Sequence, residues 1–207
     1  RLLIGDAVAP EYAESEIRQG QRPNGSGAPS SPEYLALKER GFAGYRLRVT
    51  GLVARPLSVS LEELRNMPSR TQITRHDCVE GWSCIAKWTG TPLSFLLDQV
   101  RVLPAARYAV FHCYDDLGNG RSGPAFYYES CDLADARHPQ TILAYGLNGG
   151  ILPIANGAPV RLRLERALGY KQPKYLHTIE LVDSFKRFGR GKGGYWEDRG
   201  YDWYGGV

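Results

Sequence analysis

Period-two alternation constrains this chain most. From Tyr45 to Val53, residues Tyr45, Leu47 and Val49 point one way while Arg46, Arg48 and Thr50 point the other. That is the pattern of a strand with one buried face, so a sheet is required. Further strands are predicted at 71–79, Tyr108–Cys113, 141–145, Val160–Leu164 and Tyr175–Val182, with Asn148-Gly149 as a hairpin turn. Helices are short. Ser60 and Glu63 form a capping box ahead of Leu61, Leu64 and Met67, and Pro68 stops the helix. Thr91 is the predicted N-cap and Pro92 the first residue of a second helix, whose apolar side is Leu93, Leu96, Leu97 and Val100. A helical turn is predicted near 131–136. The sum is an α+β fold with more strand than helix and no internal repeat.

A chain of 207 residues makes one domain with trimmings. Residues 1–44 hold Pro10, Pro23, Pro29, Pro32 and the turn-forming run Asn24-Gly25-Ser26-Gly27. They read as an irregular arm draped over a domain of residues 45–185. Asn24-Gly25-Ser26 also fits the N-glycosylation pattern. Residues 114–126 read as a Gly- and Asp-rich loop. Residues 186–207 read as an irregular tail packed down by Tyr195, Trp196, Tyr201, Trp203 and Tyr204.

Hydrophobic residues make up 43% and charged residues 23%, which excludes a disordered or collagen-like chain. No apolar run approaches the roughly 18 residues that cross a bilayer, so an integral membrane protein is not expected. The net charge of +4 is too mild to argue for nucleic acid. The cluster Lys186, Arg187, Arg190 and Lys192 reads as a solvated face or an anion site. A chain that begins at Arg1 reads as a mature form whose export signal has been removed, or as a trimmed one.

The four cysteines, Cys78, Cys84, Cys113 and Cys131, form neither C-x-x-C nor C-x-x-C-H, so thioredoxin-like chemistry and a covalent c-type haem are not indicated. The segment Thr74-Arg75-His76-Asp77-Cys78-Val79-Glu80-Gly81-Trp82-Ser83 ends a strand and enters a loop. A cysteine there can present its sulfur to a pocket, with neighbouring charges tuning the thiolate. Three readings stay open on residues alone. Cys78 is a buried structural cysteine; or it joins His76, Cys84 and either His112 or Cys113 around zinc; or it is a nucleophile beside His76, two residues away on the same strand face.

A second segment bears on phosphate. Asn156-Gly157 makes a tight turn, Pro159 stiffens the approach to a strand that Arg161 begins, and Lys171 and Lys174 follow on the next loop. Three cations and turn amides suit a phosphate or pyrophosphate group, though a hairpin with surface basics gives the same pattern.

Taken in order, these pieces resemble the sulfite oxidase superfamily, the oxidoreductase molybdopterin-binding domain. They are most similar to the bacterial branch that includes the catalytic subunit of the periplasmic methionine sulfoxide reductase. The resemblance is carried by Cys78-Val79-Glu80-Gly81-Trp82-Ser83 with Trp88-Thr89-Gly90-Thr91-Pro92-Leu93. It continues through His138-Pro139-Gln140-Thr141-Ile142-Leu143-Ala144 into Asn156-Gly157-Ala158-Pro159-Val160-Arg161, and ends at Gly169-Tyr170-Lys171-Gln172-Pro173-Lys174. It spans about residues 45–185.

The resemblance implies a sulfite-oxidase-type fold of mixed sheets with short helices and a molybdenum-molybdopterin cofactor. It makes Cys78 the thiolate ligand of the metal, and Asn156, Arg161 and Lys174 the hold on the pterin and its phosphate, with Lys171, Gln172 and Pro173 beside them. Cys113 stands where the branch carries a threonine. Asn24 matches an asparagine of the branch's N-terminal arm. Glu80, His76 and Arg75 are the candidate catalytic groups around Cys78. The implied reaction is oxygen-atom transfer, favoured as reduction of an S- or N-oxide on a small molecule or peptide, with sulfite oxidation as the alternative and a cofactor-free binding module as a further one. Electrons are expected from a separate haem carrier, either a membrane b-type or a soluble cytochrome. The expected location is the periplasm, reached in folded form by the twin-arginine route. Cys84 and Cys131 are expected to be small buried residues, Trp82 and Trp88 core or pocket wall, and the tail either surface packing alone or an element that helps close the pocket.

Overall fold

The computed structural model describes residues 7–118 and 125–207. Arg1, and the centre of the stretch expected as a loop, lie outside the described residues.

Among the described residues, one mixed and one antiparallel sheet carry the fold. In the first, β1 (Arg46–Gly51) pairs in parallel with β10 (Leu176–Val182), and β2 (Leu57–Ser60), β5 (Tyr108–Asp116) and β6 (Phe126–Asp132) complete the order β2-β1-β10-β5-β6. In the second, β3 (Arg70–Cys78), β4 (Trp82–Pro92), β7 (Ile142–Leu147) and β8 (Gly150–Ile151) run in that order, and β9 (Arg161–Arg163) also pairs with β7. The alternation read from the sequence is what β1 buries: Leu47 and Val49 are inaccessible while Arg46 and Arg48 are exposed.

Four short helices fill the gaps: α1 (Pro32–Glu39), α2 (Leu61–Arg65), α3 (Leu93–Val100) and α4 (Leu133–Ala136). The capping box forms as expected. Ser60 Oγ accepts from Glu63 N at 3.1 Å, and Glu63 Oε2 accepts from Ser60 N at 2.7 Å. The second helix starts one residue later than expected, because Thr91 and Pro92 still belong to β4. Pro92 is the N-cap, and Thr91 Oγ1 donates across the core to Leu64 O at 2.9 Å.

The main core lies where the inner faces of both sheets meet α3. Leu47, Val49, Phe111, Ile179 and Leu181 from one sheet pack with Leu143 and Leu162 from the other and with Leu93, Leu96, Leu97 and Val100. A smaller cluster around Trp88 covers β4 and β7, and a third, with Val110, Tyr128, Val182 and Tyr195, lies where the tail folds back.

Three corrections concern the ends and the strands. The arm is not wholly irregular: α1 forms at Pro32–Glu39 and its Tyr34 is fully buried. The expected loop at 114–126 is shorter, since β5 continues to Asp116 and β6 begins at Phe126. The long strand β4, and β6 as a whole, go beyond the strands that alternation predicts. The remaining arm follows the second sheet closely: Tyr12 N donates to Ile73 O at 2.9 Å and Arg18 N to Ile85 O at 3.0 Å.

Candidate active site

Cys78 sits on the last residue of β3, opposite Trp82 on β4. The three residues between them, Val79, Glu80 and Gly81, make a short loop that leaves this register intact. Gly81 N donates back to Cys78 O at 3.0 Å, and Gly81 takes φ +83°, a backbone state costly for a residue with a Cβ. The hairpin therefore fixes where the sulfur lies. Cys78 is half-buried at the wall of a cavity of about 470 Å³.

Four stretches of chain build that cavity. The hairpin supplies Cys78, Val79 and Glu80; the arm supplies Asn24, Gly25 and Ser26; the loop before β10 supplies Gly169, Tyr170, Gln172, Pro173 and Lys174; the tail supplies Tyr195, Trp196 and Tyr201. Asp115, Leu117 and Tyr127 add the ends of β5 and β6. The tail thus lines the pocket rather than only packing on the surface.

Behind this wall lies a buried layer of cations. Arg161 is 1% exposed; its Nη1 donates to Asn156 O at 2.9 Å and its Nη2 to Gln172 O at 3.2 Å. Lys174 Nζ donates to Ala155 O at 2.9 Å and to Ser26 O. Among the described residues, neither has a carboxylate within salt-bridge distance. Their proton affinities register the strain. Burial, then the neighbouring Arg163, pushes Arg161 down to about 9. Burial, then Arg161, pushes Lys174 down to about 7.

His76 lies two residues before Cys78, inaccessible to solvent. Arg163 Nη1 can only donate, so His76 Nδ1 accepts from it at 2.8 Å, which puts the ring proton on Nε2. Burial, with Arg163 and Arg161, drives its pKa far below the usual histidine range and keeps it neutral. Gly169, on the cavity wall, touches this ring: a Cβ there would stand 2.7 Å from His76 Nε2.

The thiol itself is not poised as a free nucleophile. Burial pushes the Cys78 thiol up, and Glu80's carboxylate adds to this, while a backbone N–H at Glu80 and the Arg22 guanidinium oppose it. A nucleophilic cysteine needs the opposite shift, whereas a metal cation at the sulfur removes the proton outright. Zinc is not favoured: among the described residues, no three His, Cys, Asp or Glu side chains gather around a common point.

Of the residues singled out from sequence, Cys78, Glu80, Asn24, Gln172, Pro173 and Lys174 therefore line one cavity, and His76, Asn156 and Arg161 back it. Three do not join them. Arg75 points to the other face of β3, is exposed, and pairs with Asp77 at 2.9 Å. Cys113 is buried against a different cavity, with His112 and His177. Lys171 is turned into the protein, with its ammonium 2.5 Å from Glu129 and 2.6 Å from Glu197.

Two residues of the site escape the sequence reading. Asp115 stands on the cavity wall, accepts from Ser26 Oγ at 2.5 Å, and is raised above the usual carboxylate range by burial. Its signal is the acidic pair Asp115-Asp116, which ends β5. Arg163 shares a strand face with Arg161, so spacing alone places both guanidinium groups together; they lie 4.4 and 5.0 Å from the Trp88 ring centre. Cys84 and Cys131 are buried, and Trp88 is core.

The donor set fits a pterin that carries phosphate and a soft metal. Buried cations that no carboxylate contacts among the described residues suit an anion, and a half-buried thiol suits a soft metal. Among the described residues, Gln21 Oε1 and Arg161 Nε are buried polar atoms without a hydrogen-bond partner, while the His76 and Gln172 side chains face each other.

Fold and site together suit a redox domain that takes a soft metal and an anionic organic group. Comparison with known proteins agrees. The sequence model of the oxidoreductase molybdopterin-binding domain matches residues 35–187. The chain belongs to this family, the catalytic domain of the sulfite oxidase superfamily; it is a molybdopterin-dependent oxidoreductase whose cofactor is molybdenum-molybdopterin.

The chain is 41% identical over 205 residues, 99% of its length, to the provisionally named protein-methionine-sulfoxide reductase subunit YedZ1 of Azospira oryzae, of which it covers 70%. It is 37% identical over 145 residues to the protein-methionine-sulfoxide reductase catalytic subunit MsrP of Ralstonia nicotianae, and 34% over 157 residues to that of Xanthomonas campestris pv. campestris. These alignments cover 67% and 72% of the chain and 44% and 48% of the relatives, so the chain spans less than half of either MsrP. Among solved structures, the sulfane dehydrogenase SoxCD of Paracoccus pantotrophus shares the fold, with a TM-score of 0.58, 22% identity, and coverage of 68% of this chain and 38% of that one.

Proposed function

We propose that the chain reduces S-oxides of the methionine sulfoxide type, free or in a peptide, by oxygen-atom transfer. When bound, the molybdenum-molybdopterin group supplies a two-electron centre that exchanges oxygen with sulfur. The observation that carries this reading is the pair of buried cations, Arg161 and Lys174, left without carboxylates behind a cavity that holds Cys78.

In this reading Cys78 is the thiolate ligand. Arg161 and Lys174 take the phosphate, Asn156 and Gln172 hold the Arg161 side chain in place through their carbonyls, and Asn24 and Pro173 close the pterin's flanks. His76, neutral and fixed by Arg163, supports Gly169 and the adjoining floor.

The direction of the reaction follows from charge. Glu80 and Asp115 line the cavity against one lysine, a field that disfavours the sulfite anion and leaves a neutral S-oxide unopposed. The aromatic side of the wall, Tyr127, Tyr170, Tyr195, Trp196 and Tyr201, suits a thioether. The relatives named as methionine-sulfoxide reductases support the same substrate class. Reduction of a sulfoxide to its thioether and water consumes two protons and two electrons. Asp115, a carboxylate on the cavity wall, can relay those protons from solvent. A separate haem protein, a membrane b-type or a soluble cytochrome, supplies the electrons. The reaction then runs in the periplasm, after twin-arginine export of the folded, loaded chain. Among the described residues no helix is long and apolar enough to cross a membrane.

The test is metal and pterin analysis of protein made in a host that synthesises the cofactor, followed by assays with dyes. The expected result is about one molybdenum per chain, reduction of methionine sulfoxide with a reduced viologen, and slower oxidation of sulfite. Cys78→Ser is expected to abolish turnover. Faster sulfite oxidation would reverse the direction; protein that never takes up molybdenum would make it a binding module.

A further inference from the structure

The resemblance places Lys171 at the pterin, yet it lies elsewhere, and its surroundings explain why. Its ammonium is buried between two buried carboxylates, Glu129 of β6 and Glu197 of the tail. Three charges share one enclosed space. Burial, opposed by Lys171 and reinforced by Glu197, raises the Glu129 carboxyl, so the two acids lean on one ammonium. The Glu129 and Glu197 carboxyl groups also face each other at hydrogen-bond range. Such a cluster is a poor source of stability, because apolar side chains of the same volume commonly serve as well or better. What it does supply is position.

Each member stands directly behind a cavity residue. Lys171 lies between Tyr170 and Gln172. Glu129 is two residues from Tyr127 on the same strand face. Glu197 follows Trp196. The wall residues also hold one another: Tyr127 Oη donates to Tyr170 O at 2.6 Å, and the rings of Tyr127 and Tyr195 stack at 5.5 Å. The packing leaves little slack, since a Cβ on Gly194 would collide with Glu197 Oε2.

We propose that Lys171, Glu129 and Glu197 are positioning residues, a clamp that fixes the tail's aromatic wall over the cavity. That wall selects a neutral S-oxide flanked by apolar groups over a compact anion. This rests on the S-oxide reading above. The clamp joins three separated stretches of chain, so loss of one arm loosens Tyr195 and Trp196 without touching Cys78, Arg161 or Lys174.

The test uses the molybdenum-loaded full chain with Glu197→Ala and Glu197→Gln. Glu197→Ala is expected to raise KM for methionine sulfoxide about tenfold with kcat within about twofold. Glu197→Gln, which keeps a carbonyl for Lys171, is expected to raise it about threefold. Molybdenum content stays at the wild-type level in both. Backbone hydrogen exchange over residues 195–201 rises in Glu197→Ala, and this readout needs neither substrate nor turnover. Exchange that rises while the wild type leaves methionine sulfoxide untouched upholds the clamp and sinks the S-oxide reading. Unchanged exchange, unchanged KM, or loss of molybdenum from Glu197→Gln overturns the clamp.

Discussion

Two pairs of buried cations lie within a few residues of each other and have opposite fates. On β9, Arg163 meets Glu165 through two hydrogen bonds, Nε to Oε1 at 3.0 Å and Nη2 to Oε2 at 2.5 Å, whereas Arg161 finds only backbone carbonyls. On the following loop, Lys171 lies between Glu129 and Glu197, whereas Lys174 again finds only carbonyls. All four residues are buried. A buried ion without a counter-ion costs several kcal/mol, so a fold that keeps Arg161 and Lys174 this way must recover that cost from something outside the chain. The paired members belong to the scaffold. In the proposed reading the unpaired members, both next to the cavity that holds Cys78, take an anion.

Arg163→Met tests the scaffold half and carries the largest expected effect. It leaves Glu165 buried with the neutral Gln72 Nε2 as a donor at 2.7 Å and Arg161 as a more distant charge, and strips the donor that fixes His76. Removal of one partner from a buried pair costs about 3–5 kcal/mol. Urea unfolding of the cofactor-free protein measures it. A loss under about 1 kcal/mol would erase the distinction between the two pairs.

Arg161→Met tests the other half, with the sign reversed. In cofactor-free protein it removes an uncompensated charge while Asn156 O and Gln172 O lose only a donor, so stability is expected to hold or rise by about 1 kcal/mol. In loaded protein the same change is expected to weaken pterin retention by about 10- to 100-fold, read from the fluorescence of the extracted, oxidised pterin. Equal destabilisation by Arg161→Met and Arg163→Met would show both to be scaffold.

The same contrast explains what is legible in the sequence. Alternation exposes β1, β9 and β10 because their inward positions are large and apolar, or evenly spaced. It fails for β4, whose buried face carries Cys84, Ala86 and Gly90 between Trp82 and Pro92, too small to register as hydrophobic even with Trp88 among them. Small residues are needed there: a Cβ on Gly90 would collide with Leu143 O. It fails for β6 because Glu129 and Ser130 are buried polar residues. The site divides in the same way. Cys78, Glu80, Gln172, Pro173 and Lys174 are local to their motifs and lie on the cavity wall, as does Asn24. Lys171 cannot be told from Lys174 by type or spacing. Their difference lies in Glu129 and Glu197, which are 42 and 26 residues away from Lys171 in the chain.

The smallest expected effect concerns how nearly alone Lys174 is. Without a bound anion its pKa lies near 7, below the ordinary 10.5, because burial penalises the charge. Between those values the unfolded chain holds a proton that the native chain has released, so stability should rise with pH by up to about 1.4 kcal/mol per unit. Below about 7 both states are protonated and the contribution is flat. Lys174→Met should remove that rise, measured as the difference between urea titrations of cofactor-free wild type and variant at about pH 7, 8 and 9. Asp115 is a charge that partly offsets the penalty from across the cavity wall. Asp115→Asn should therefore move the onset of the rise down by about half a pH unit, roughly 0.7 kcal/mol. A parallel shift of one unit or more would mean that Asp115 is a true counter-ion to Lys174. Arg161 would then be the single unpaired cation left for the phosphate.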